Sequence, residues 1–176
     1  MKLDLKHKNL VLTGFMGTGK TETGLILARS TGRRFVDSDK LVEEKTGKSV
    51  AGIFKESGEV YFRDLESKAL KSLDRCKAGS LVISTGGGAV IREQNRMLLR
   101  KKGIIINLTA RVEDIISRTS EAGSRPLLDV ANPGEKIAEL LEERKEAYGD
   151  CDISIDTTGL SPLEVSEKIL ELLKDY

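Results

Sequence analysis

Residues 10–24 read LVLTGFMGTGKTETG, and no other stretch constrains the fold as strongly. An apolar run stops at Thr13, and helical spacing begins at Lys20. Between them Gly14-x4-Gly19-Lys20-Thr21 matches the phosphate-binding loop pattern in full, in the strand–loop–helix setting that the pattern requires. The composition follows from the chemistry. Glycines let the backbone curl so that N–H groups over Gly17, Thr18, Gly19, Lys20, Thr21 and Glu22 can meet phosphate oxygens. The helix start adds partial positive charge. Lys20 is expected to reach the β- and γ-phosphates. Thr21 offers a hydroxyl to Mg²⁺, a hard cation that takes oxygen ligands. A nucleoside triphosphate is the expected occupant.

Four further short apolar runs read as buried strands: Arg34–Asp37, Leu81–Thr85, Ile104–Leu108 and Asp152–Asp156, after a first strand at Leu10–Thr13. Segments with helical spacing separate them, at 20–30, 40–77 (broken near Gly47 and Gly58), 92–102, 111–118, 134–148 and 162–174. Strands alternating with helices predict an α/β fold with a parallel sheet covered on both faces. Asn132 with Pro133, and Ser161 with Pro162, form helix starts. Thr119–Ala131, TSEAGSRPLLDVA, fits neither element and reads as a loop or lid.

Bulk properties exclude some function classes. A chain of 176 residues suits one domain, and 28 acidic residues against 29 basic ones give no global pull toward nucleic acid or anionic membrane. No apolar run approaches the ~20 residues needed to span a bilayer. The start is interrupted by Lys, Asp and His and does not read as a signal peptide. Cys76 and Cys151 lack metal-ligand spacing and are expected to be reduced thiols in a cytoplasmic protein.

In a parallel sheet, ligands collect at the carboxyl ends of the strands. The second strand ends in Asp37-Ser38-Asp39. Extended chain would point both carboxylates the same way. One could hold Mg²⁺ through water while the other orients or deprotonates a substrate hydroxyl, or Asp39 could simply cap the next helix. The third strand ends in Gly86-Gly87-Gly88, a surface for close ligand approach or a tight turn. Arg144 shares a helical face with Ile137, Leu140 and Leu141. An inward guanidinium calls for a carboxylate or phosphate, unless it snorkels or pairs with a nearby Glu. Arg63 has Glu66 three residues on, a spacing that also suits a plain surface pair. Arg125 sits in the lid segment, where it could close on phosphates.

Taken together, GFMGTGKT, VDSD, GEVYFRDLE, STGGG, RPLL and ER followed by Tyr148, in this order, resemble shikimate kinase over residues 9–172. The resemblance implies a P-loop NTPase-type three-layer sandwich, a five-stranded parallel sheet in the order 2-3-1-4-5. It implies a single kinase domain over 1–176, with a substrate-binding segment at about 38–66 and a mobile lid at about 118–131. Asp39, Arg63, Gly87 and Arg144 resemble the shikimate contacts, with Glu66 steadying Arg63 and Asp39 assisting proton removal. Lys20 and Arg125 resemble the transition-state cations. Thr21 and Asp37 resemble the Mg²⁺ positions, and Arg118 the side chain that packs on adenine. The implied activity is ATP-dependent phosphorylation of the 3-hydroxyl of shikimate. Shikimate and ATP are the expected partners, without nucleic acid or membrane, and a monomer in the cytoplasm is expected.

The sequence departs from the family in places. Glu22 stands where a small hydroxyl residue is usual, so its charge should face away from phosphate. Arg144 is followed by Lys145-Glu146-Ala147-Tyr148 rather than x-Pro-Leu-Tyr, which bears on where the helix ends. Pro162 receives no role. Another small-metabolite kinase, such as a gluconate kinase, shares the P-loop and lid. A GTPase would need an Asn-Lys-x-Asp motif, which the sequence lacks.

Overall fold

The computed structural model describes residues 7–120, 126–128 and 130–174. The strands are β1 (Asn9–Gly14), β2 (Arg34–Asp37), β3 (Leu81–Ser84), β4 (Gly103–Thr109) and β5 (Ile153–Asp156). The helices are α1 (Lys20–Thr31), α2 (Ser38–Thr46), α3 (Val50–Ser72), α4 (Glu93–Lys102), α5 (Val112–Ser120), α6 (Pro133–Glu143), α7 (Lys145–Gly149) and α8 (Pro162–Leu172). The five strands form one sheet in the order β2-β3-β1-β4-β5, every pair parallel. This matches the expected architecture.

Pleating divides the strand side chains between two cores. Val11, Ile83 and Ile105 join Phe15, Leu99, Ile115 and Ile137 on one face. Leu10, Leu12, Val82, Ile104 and Ile106 join Leu27, Val165 and Ile169 on the other. Burying each of these aliphatic side chains is worth roughly 1.5–3 kcal/mol, so burial rather than strand propensity holds the sheet. A third cluster, Val42, Ile53, Phe62 and Ala69, joins α2 to α3 beside the sheet. Register is pinned at one end by a side chain, as Leu81 N donates to Asn9 Oδ1 at 3.0 Å.

Most helix boundaries have a local cause. Gly32 and Gly47 close α1 and α2 in the left-handed conformation. Gly58, at φ 79 and ψ 173, kinks α3 where a break was expected. Ser161 and Glu164 make a capping box on α8. The continuous helix predicted over 134–148 is two: α6 stops at Arg144 (φ −101, ψ 3), and α7 restarts at Lys145. The bend lets one short segment serve two sites, with the Arg144 guanidinium over the Phe15 ring at 5.7 Å and Tyr148 in the core. Helix α5 runs through Ser120, so residues 118–120 of the expected lid are helical. Among the described residues, no helix is long and apolar enough to cross a membrane.

Candidate active site

The loop between β1 and α1 is held from within. Thr18 Oγ1 donates to the Phe15 carbonyl at 2.8 Å, and Lys20 Nζ donates to the same oxygen at 2.7 Å. Gly19 opens α1 at φ 86, a conformation that favours glycine. The loop floors a cavity of about 420 Å³ at the carboxyl ends of the strands. Its lining includes Gly17, Thr18, Gly19, Lys20, Thr21 and Glu22 from the loop and helix start, and Asp37, Asp39, Gly87 and Arg118 from elsewhere. Glu22 is exposed at the rim.

The cap of α2 falls on the other aspartate from the one that the sequence alternative named. Asp37, not Asp39, caps α2: its Oδ1 accepts from Asp39 N at 3.0 Å and Lys40 N at 3.3 Å. Its other oxygen, Oδ2, accepts from Thr21 Oγ1 at 3.2 Å. Helix α2 begins at Ser38, so extended alternation does not aim Asp39; the first turn of a helix does. Thr21 and Asp37 together present a hydroxyl and a carboxylate at the cavity wall. That donor set fits Mg²⁺, which is usually held by one or two protein oxygens plus phosphates and waters.

A second cavity, of about 80 Å³, adjoins the first. Met16, Asp39, Gly86 and Gly87 line both. Arg63 and Arg144 line only the smaller one, with Phe54, Phe62 and Leu127. The two guanidinium groups are buried, with residue exposures of 8% and 6%. Arg144 Nη1 is buried and has no hydrogen-bond partner among the described residues. A buried donor of this kind suits an incoming anion.

Arg63 is held by two carboxylates. Nη1 donates to Glu66 Oε2 at 3.0 Å, while Nε and Nη2 both donate to Glu59 Oε1, at 3.2 and 2.9 Å. Burial opposes the charge on Arg63, but Glu66 and Glu59 raise its pKa overall. Glu66 is fully buried, and among the described residues its other oxygen has no hydrogen-bond partner. Desolvation pushes its pKa up to about 7, against the pull of Arg63 and with help from Asp39.

The glycine triplet is explained by close approach. A methyl at Gly86 would stand 2.4 Å from Asp39 Oδ1 and 2.5 Å from Glu66 Oε1. One at Gly88 would stand 2.1 Å from Arg63 Nη2. These positions are packed by the site's own charged groups, so the triplet is more than a turn.

Arg118 is fixed by three hydrogen bonds at 3.2 Å: Nη1 to Gly17 O and Thr157 Oγ1, and Nη2 to Thr157 O. It joins the P-loop to the segment after β5. Thr157, Leu160, Pro162 and Val165 complete that wall of the larger cavity. Sequence reasoning missed Thr157 and Glu59. The Glu59–Arg63 spacing of four residues was the available signal for Glu59. Nothing local marks Thr157. Arg125 and part of the predicted lid lie outside the described residues.

Comparison with known proteins points one way. The family model described as shikimate kinase matches residues 16–174. A shikimate kinase of Geobacter sulfurreducens is 46% identical over 176 residues, covering 100% of this chain and 96% of that protein. Another, of Caldanaerobacter subterraneus, is 48% identical over 163 residues, covering 93% and 94%. Among solved structures, a shikimate kinase from Acinetobacter baumannii in complex with shikimate superposes with a TM-score of 0.91. It is 40% identical, covering 96% of this chain and 93% of that one.

Proposed function

The chain belongs to the shikimate kinase family, and from that membership we infer that it transfers the γ-phosphoryl group of ATP to the 3-hydroxyl of shikimate. The products are shikimate 3-phosphate and ADP. The step belongs to chorismate and aromatic amino-acid synthesis.

The larger cavity takes ATP, and the smaller takes the ring acid. Backbone N–H groups over Gly17–Glu22 and the start of α1 hold the phosphates, and Lys20 turns from the Phe15 carbonyl to the β- and γ-oxygens. Arg118 packs on the adenine. Arg63 and Arg144 grip the shikimate carboxylate, and the Gly87 N–H donates to the ring substituents. Asp39 accepts the proton of the attacking hydroxyl as its oxygen bonds to the γ-phosphorus, and the bond from that phosphorus to the β-bridging oxygen breaks. Lys20 and Arg125 offset charge on the transferring group, the latter on sequence resemblance alone. Thr21 and Asp37 would hold Mg²⁺, the latter through water, and the ion would supply neutralisation of phosphate charge. Positioning and fixed charge carry such a reaction, since a loose transition state leaves little covalent work to the protein.

The observation that carries this reading is the shared wall. Asp39 borders both cavities, with the lysine of the P-loop on one side and two buried arginines on the other. The chain acts as a single kinase domain and a cytoplasmic monomer, without nucleic acid or membrane. The test is ADP release with shikimate present and absent. Release that depends on shikimate is expected; equal release without an acceptor points to hydrolysis instead.

A further inference from the structure

Tyr148 closes the sequence pattern that begins with Glu143 and Arg144, yet the mechanism above gives it no part. Its ring is buried in the core cluster beneath the site. Its hydroxyl donates to the Gly87 carbonyl at 2.5 Å. Its own N–H donates to the Arg144 carbonyl at 2.9 Å, one helical turn earlier. Burial raises the pKa of the phenol, although Arg144 and Arg63 oppose this, so the proton stays and the group remains a donor.

The partner of that donor is a run of three glycines, the segment with the most backbone freedom to lose. Each peptide of the run has its own tether. Gly86 N donates to Ser38 Oγ at 2.8 Å. Gly86 O accepts from Ala89 N at 3.0 Å, and Gly88 O from Ile91 N at 3.1 Å. The Gly87 carbonyl is tied differently, by a side chain 61 residues away in sequence. With the 86–87 peptide already held through Gly86 O, fixing the Gly87 carbonyl restrains ψ of Gly87, the rotation between that carbonyl and the N–H assigned to shikimate.

We propose that Tyr148 is a positioning residue for the acceptor: through the Gly87 carbonyl it holds the 87–88 peptide, which restrains the neighbouring peptide that carries the Gly87 N–H, and it ties that segment to Arg144, so that backbone donor and cation keep one spacing. The proposal rests on the shikimate assignment for its kinetic consequence, but not for its structural one.

Tyr148→Phe keeps the ring and removes the hydroxyl. A lost buried hydrogen bond of one to two kcal/mol corresponds to about five- to thirtyfold. The shikimate KM is expected to rise by that factor, with kcat and the ATP KM changed by less than about twofold. Amide exchange at residues 86–88 is expected to accelerate while β1 and β3 keep their protection. Unchanged kinetics with unchanged exchange at 86–88 overturns the proposal. So does an equal rise in both KM values with protection lost throughout, which marks a merely structural tyrosine. If the wild-type protein shows no shikimate-dependent ADP release, the acceptor assignment falls, and the exchange measurement alone decides whether Tyr148 pins the turn.

Discussion

Glu66 Oε2 accepts from Arg63 Nη1 at 3.0 Å in a position with no solvent exposure, so the pair is an ion pair taken wholly out of water on its acidic side. Its Coulomb gain competes with a large desolvation cost. Desolvation holds the folded pKa near 7, above the ordinary value of 4.5. The native state therefore binds the proton more tightly than the unfolded chain. The stability this contributes is fully present below about pH 4.5 and is lost as pH rises toward 7. Glu66→Gln should remove that slope. Thermal melts of both proteins from pH 4.5 to 8 should show the wild type losing ground to the variant as pH rises, by on the order of a few kcal/mol in all. Parallel curves would refute the raised pKa.

Lys20→Ala removes the cation that spans the P-loop. Turnover should fall by at least about 10³-fold, the scale set by losing fixed charge from a transferring phosphoryl group. The melting temperature should stay within about 5 °C, because the loop keeps its Thr18 tether. A coupled ADP assay and a melt read the two separately. Substantial residual turnover would remove Lys20 from the mechanism.

Arg144→Ala should raise the shikimate KM by about 10²-fold while leaving the ATP KM near its original value. The guanidinium lines only the smaller cavity. Normal shikimate affinity in this variant is incompatible with its assignment.

Gly88→Ala places a methyl 2.1 Å from Arg63 Nη2, inside any allowed contact. Arg63 must move, and Glu59 and Glu66 grip it on both edges. A rise in shikimate KM of about tenfold or more is expected, with ATP binding little changed. Isothermal titration with each ligand checks the selectivity.

Thr157→Val removes the hydroxyl that accepts from Arg118 at 3.2 Å. Arg118 keeps its two carbonyl partners, so the loss should be modest, about three- to tenfold in ATP KM. The shikimate KM should not move. An effect confined to shikimate would contradict the placement of Arg118 beside the nucleotide.

The parts of this site legible in sequence were those whose signals are local. The P-loop pattern carries its own strand and helix, so β1, Lys20 and Thr21 could be placed without any tertiary knowledge. Arg144 betrayed itself by standing on an apolar face. Which aspartate caps α2 was not legible, because it depends on whether the chain turns into a helix at position 38 or 39. The break at Arg144 was equally hidden: the residues on either side are good helix formers, and no proline or glycine marks the bend. Thr157 lies 39 residues from the arginine it holds, and only the folded sheet brings them together.

The thin partition that Met16, Asp39, Gly86 and Gly87 form between the two cavities has a practical corollary for ligand design. A single molecule joining an adenine nucleotide to a cyclic hydroxy acid, the occupants proposed for the two cavities, would cross it. The second moiety would then dock at the high effective concentration that a well-matched linker provides. Selectivity over other nucleotide-dependent enzymes would come from the arginine-lined half, and potency from the union of both.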